Sequence, residues 1–143
     1  MIEIEVRDFA DPELARLADR CRDLSPALKG FGEFYLDKID SQFKDERDPY
    51  GAAWTPLAAA YLARKVKQGR IPKILQSRGH MRTRASYSVS PSSISIGIGD
   101  KKAEWHDRGT SRLPRRTLFP DARGLPQDAV EELVESLADY LIS

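Results

Sequence analysis

Two runs of alternating residues constrain this chain more than any other feature. Ala85, Tyr87 and Val89 alternate with Arg84, Ser86 and Ser88, and Ile94, Ile96 and Ile98 alternate with Ser95 and Gly97. A period of two sends successive side chains to opposite faces of a strand, and Ser90-Pro91-Ser92-Ser93 between the runs has the composition of a turn. The pattern predicts an antiparallel hairpin over about 83–98, with an apolar face that other elements must cover.

The rest of the chain supplies that cover. Ile2, Ile4 and Val6 alternate with Glu3, Glu5 and Arg7, which predicts a further, N-terminal strand. Asp11-Pro12 reads as a helix cap followed by proline at the first helical position, with Leu14, Leu17, Cys21 and Leu24 at helical spacing. Ser25-Pro26 repeats the start signal, and Leu28, Phe31, Tyr35, Ile39 and Phe43 resume the period, so two consecutive helices or one kinked helix follow. Residues 44–55 form a loop around the turn Asp48-Pro49-Tyr50-Gly51. A third helix over about 57–68 carries Leu57, Tyr61, Leu62 and Val66 toward the interior, and Gly69 ends it. Ile71, Ile74 and Leu75 suggest a short buried segment. Residues 99–124 show no sustained period and read as extended loop with a short strand near Leu118-Phe119. Pro126 opens a last helix through Val130, Leu133, Val134, Leu137 and Leu141. The expected fold is a single α+β domain over residues 1–143. Its small, mostly antiparallel sheet packs against N-terminal, central and C-terminal helices.

The apolar fraction of 41% belongs to a folded chain, and no apolar run reaches the ~18 residues of a membrane span. The acidic, alternating N-terminus is not that of a signal peptide, and a lone cysteine excludes an internal disulfide framework. The net charge of +1 conceals a segregation. Residues 64–116 hold 14 Lys and Arg against three acids, a balance of +11, which leaves −10 on the remainder. Such a chain can attract copies of itself head to tail or set a basic face on nucleic acid; it can equally carry two solvated faces.

No arrangement of residues suits catalysis. His106-Asp107 with Ser111 has the residue types of a triad, but neighbours in an extended loop point different ways and no nucleophile elbow is present. His80 and His106 are the only histidines, and Cys21 falls on an apolar stripe expected in the core, so no zinc spacing exists. Gly97-Ile98-Gly99-Asp100-Lys101-Lys102 lacks the Gly-Lys-Ser/Thr ending of a phosphate loop. No cofactor, metal or enzymatic activity is expected. Arg78, His80, Arg82 and Arg84 fall on alternate residues, and Lys101, Lys102, Arg108, Arg112, Arg115 and Arg116 form a second basic group. These groups suit either phosphate neutralisation or a subunit contact. Trp54 is expected to cap the core; Trp105 suits either a core cap or a partner anchor.

Asp48-Pro49-Tyr50-Gly51-Ala52-Ala53-Trp54-Thr55-Pro56-Leu57, followed by a helix containing Lys65, resembles the Pro-x-Gly-x-x-Trp-x-Pro-Leu signature of the phage virion morphogenesis family, which includes tail-completion proteins of Mu-like phages. The resemblance continues in order through Ile74-Leu75-Gln76-Ser77-Arg78-Gly79, Ile96-Gly97-Ile98-Gly99, Ala103-Glu104-Trp105-His106-Asp107-Arg108-Gly109 and Pro114-Arg115-Arg116-Thr117-Leu118-Phe119. It covers roughly residues 43–120. Lys102, Asp107 and Arg78 depart from the family pattern.

The resemblance implies a structural subunit of a phage head–tail junction. Such a neck or tail-completion ring, commonly six-fold, lets tails join DNA-filled heads. Implied partners are copies of the chain, other neck, terminator or tail-tube proteins, and DNA in the channel, with no membrane. The implied location is the virion, after assembly in the host cytoplasm. Pro49, Gly51, Trp54, Pro56, Gly79, His106, Gly109, Pro114, Arg116 and Phe119 would be assembly or structural residues, with Arg116 as an inter-element or intersubunit clamp. Arg78, Arg82, Arg84, Lys101, Lys102, Arg108, Arg112 and Arg115 would face DNA or a neighbouring subunit. A small DNA-binding module built on residues 64–116 is the alternative.

Overall fold

A computed structural model describes residues 12–143. The expected strand through Ile2, Ile4 and Val6 and the cap at Asp11 lie outside these residues. Among the described residues the fold is α+β, with six helices and one two-stranded antiparallel sheet. The hairpin sits where the alternation places it. Strand β1 (Ala85–Val89) pairs with β2 (Ile94–Ile98) in the register Ala85 to Ile98, Tyr87 to Ile96 and Val89 to Ile94. The turn closes through the Ser90 amide, which donates to the Ser93 carbonyl at 2.8 Å.

Helices α1 (Pro12–Arg22) and α2 (Ser25–Asp45) are separate, and α2 is the axis of the molecule. Phe31, Tyr35, Ile39 and Phe43 recur at helical spacing on one buried stripe. Their cover comes from Trp54, Ile74, Leu75, Met81, Ala103, Leu118 and Ala129, with Ala85 and Ile94, Ile96 and Ile98 of the hairpin packed on the same cluster. Gly32 decides how closely the hairpin approaches: a Cβ there would stand 2.7–2.8 Å from ring atoms of Tyr87. The start of α2 is tied to the hairpin by the Leu24 amide, which donates to Pro91 O at 2.9 Å. Helix α6 (Gln127–Ile142) packs along α2, burying Ala129 and half-burying Leu133 against the same cluster, whereas Val130 and Val134 point outward.

Five expectations are corrected. Helix α3 (Ala59–Lys67) is shorter than 57–68, and its inward face carries Tyr61 and the buried Lys65, leaving Leu62 and Val66 exposed. Residues 99–124 are not all loop. Asp100 accepts the Lys102 amide at 3.0 Å and caps α5 (Lys101–Arg108), which buries only Ala103 and so has no apolar period to read. No strand forms at Leu118-Phe119, because both amides are bonded to a side chain instead of a ladder. Residues 80–83 form a helical turn, α4 (His80–Thr83), so Arg78, His80, Arg82 and Arg84 do not make an extended row. Cys21, expected in the core, is exposed together with Leu14 and Leu17.

Candidate assembly site

Motif segments 48–57, 74–79, 103–109 and 114–119 converge at the C-terminal end of α2, around Gln42 and Phe43. Asp48 organises the first: its carboxylate accepts the amides of Tyr50 (2.8 Å) and Ala52 (2.9 Å), and Gly51 takes a φ of +95° that closes the turn. Pro49 is buried there. The turn delivers Trp54 into the core, where its ring meets Phe43 edge-on at 5.6 Å between centroids and its Nε1–H donates to Thr117 O at 2.9 Å.

From the other side comes Arg116, 6% exposed. Its Nε donates to Thr55 O at 2.8 Å and its outer nitrogen to Pro56 O at 3.3 Å, while its amide donates to His106 O at 2.8 Å. One residue thus ties the segment leading into α3 to the last turn of α5. Asp107 completes the knot. Its Oδ1 accepts the amides of Leu118 (2.7 Å) and Phe119 (3.0 Å), and Gln42 Nε2 on α2 donates to Leu118 O at 3.0 Å. Gly109 sits at φ +75° with the Arg115 backbone 3.0 Å from where a Cβ would be, so this turn admits glycine alone. Pro114 is exposed at its tip, and Phe119 packs against the core.

A second cradle surrounds Lys65, which is 2% exposed. Its Nζ donates to the carbonyls of Lys73 (2.7 Å) and Gln76 (2.9 Å). The turn supplying those carbonyls is held by Gln76 Nε2, bonded to Phe43 O at 3.0 Å, and by Glu46, whose side chain accepts the Ile74 amide at 2.8 Å. Glu46 and Leu75 both adopt left-handed backbone, at φ 55° and 59°. Burial lowers the Lys65 pKa, with Arg70 and Arg116 adding to it. Arg64, Lys65 and Arg70 surround the Tyr61 ring at 5.6–5.7 Å. Gly79, at φ +80°, accepts the Thr83 amide and starts α4.

The triad residue types are not assembled. Asp107 is committed to backbone amides, and the buried His106 Nδ1 has no hydrogen-bond partner. Burial lowers the His106 pKa, helped by Arg116 and Lys102. Among the described residues no group of His, Cys, Asp and Glu is placed to hold a metal, and no helix is long and apolar enough to cross a membrane.

The basic residues divide into two sets. Arg82 grips Asp40 through both nitrogens, Arg108 pairs with Glu104 at 3.1 Å, and Arg115 pairs with Asp121 at 3.0 Å. Arg84 stands 3.9 Å from Asp100. Arg78, Lys101, Lys102 and Arg112 are exposed and form no ion pair among the described residues. Arg78 and Lys102 share an open cleft of about 310 Å³ with Arg70 and His80, whereas Lys101 lines a different one. Sequence reasoning missed Gln42 and Gly32, a polar and a small residue on the otherwise apolar stripe of α2, and Gln76, which is buried in the turn after α3.

A model of the phage virion morphogenesis family matches residues 7–141. No curated protein and no solved structure matches the chain.

Proposed function

The chain belongs to the phage virion morphogenesis family, and from that membership we propose that it is a structural subunit of the head–tail junction, acting as a ring that lets tails join filled heads. Membership by itself supports a virion-associated, structural rather than catalytic protein. The match over residues 7–141 carries the reading. The charge segregation supports the finer step. A closed ring needs two different, complementary faces on each subunit, and this chain has residues 49–99 without a single acid and residues 124–143 without a single base. The knot around Trp54, Arg116 and Asp107 would hold the segment before α3 rigid against α5, so that these faces keep a fixed angle.

The test is a disruption of the gene in the phage that carries it, followed by electron microscopy of lysates. Filled heads beside unattached tails, with joining restored by the supplied protein, are expected; infectious, complete virions would overturn the proposal.

A second reading, a DNA-binding module, draws on Arg78, Lys101, Lys102 and Arg112, which form no ion pair among the described residues. It predicts retention of duplex DNA by the monomer, weakening steeply with salt.

A further inference from the structure

Helix α3 has two faces, and among the described residues only one has a partner. Tyr61 and Lys65 point into the cradle, whereas Ala59, Leu62, Ala63 and Val66, spaced as i, i+3, i+4 and i+7, line the opposite face in solvent. Val66 is 60% exposed. Lys67 flanks that stripe and forms no ion pair among the described residues. An apolar stripe facing water along a whole short helix marks a contact surface.

Helix α6 presents the complement. Its inner face is taken up by α2 and α1, while Val130 and Val134, the latter 60% exposed, form an outward apolar strip. Glu131 and Glu135 border it, exposed and without ion pairs among the described residues.

We propose that the Leu62–Val66 face of α3 docks on the Val130–Val134 face of α6 in a second copy of this chain. The inference rests on the ring reading and names its interface. Burying the two apolar strips supplies the attraction, and the charges select its geometry. Pairing α3 with α3 would bring Lys67 against Lys67, and pairing α6 with α6 would bring carboxylates together. Only the unlike pairing satisfies both borders. An unlike, heterologous contact leaves one face of each kind open on the growing assembly, so it propagates until it closes.

The experiment places Val66→Cys and Val134→Cys in one full-length chain carrying Cys21→Ser, because Cys21 is itself exposed. Purified protein and assembled virions are treated with a short bis-maleimide and run on denaturing gels. A ladder of covalent oligomers is expected from the double variant and only uncrosslinked chains from either single one. In parallel, Lys67→Glu and Glu131→Lys with Glu135→Lys should each shift the assembly to monomer by at least tenfold in concentration, and equal mixing of the two variants should recover part of the contact. Rings seen by negative stain with no ladder and no effect of charge reversal would overturn this interface while leaving the ring. Efficient crosslinking of Val66→Cys alone to itself in a second copy or to a different virion protein would also overturn it. A chain that stays monomeric in solution and in the particle would overturn interface and ring together.

Discussion

Arg116 donates from Nε to Thr55 O at 2.8 Å, spanning 61 residues of sequence to join the end of one loop to the start of another. The same guanidinium reaches Pro56 O, and the same residue's amide holds α5. Replacing it with alanine removes the charged donor from the Thr55 and Pro56 carbonyls and empties a buried side-chain position. Arg116→Ala should cost about 2 kcal/mol, or roughly 6 °C in melting temperature. Arg116→Lys should recover little, because an ammonium cannot reproduce the fork. Thermal unfolding followed by circular dichroism checks both.

Gly32 and Gly30 stand one turn-fraction apart on α2 with opposite surroundings. A Cβ at Gly32 meets the Tyr87 ring, and one at Gly30 meets nothing within 4 Å. Gly32→Ala should destabilise by about 1–3 kcal/mol, whereas Gly30→Ala should stabilise by about 0.5–1 kcal/mol through helix propensity. Tyr87→Ala in the Gly32→Ala background should relieve part of the first penalty. Urea midpoints of these three variants against the parent chain decide this.

His106 ties stability to pH. Its pKa is lowered by burial, so below the ordinary imidazole value the unfolded chain binds the proton that the folded chain resists. Stability should therefore be full above about pH 6.5 and decline as pH falls below it toward the folded value. His106→Gln should flatten that decline. Parallel slopes for the two proteins between pH 7.5 and 5 would contradict the assignment.

Lys65 gives the reverse comparison of charge against shape. Lys65→Met keeps the stem but leaves the Lys73 and Gln76 carbonyls without their donor, and should lower stability by about 1–3 kcal/mol. Glu46 and Leu75 hold strained, left-handed backbone around the same cradle, so the loss should appear first as faster amide hydrogen exchange over residues 70–77.

What the sequence disclosed follows from what is local. The hairpin, α2 and the burial of Trp54 all rest on short-range period or turn chemistry, and each is present. The α5 helix was illegible because Ala103 is its one buried residue and its start depends on a single cap at Asp100. Periodicity points Leu62 and Val66 inward, but it reports an apolar face without saying which body covers it. Lys65 was overlooked as a core residue because lysine is rarely buried, and only the carbonyls of a turn eight and 11 residues onward make it tolerable. The bonds from Arg116 to Thr55 and Pro56 have no local signature, since those partners lie about sixty positions away.

The central claim is a place in the particle. Cryo-electron microscopy of virions carrying a bulky tag at the exposed C-terminal residue Ser143 tests it most directly. The account predicts one ring of extra density at the head–tail junction. Density spread along the tail, at its far tip or over the capsid would contradict it.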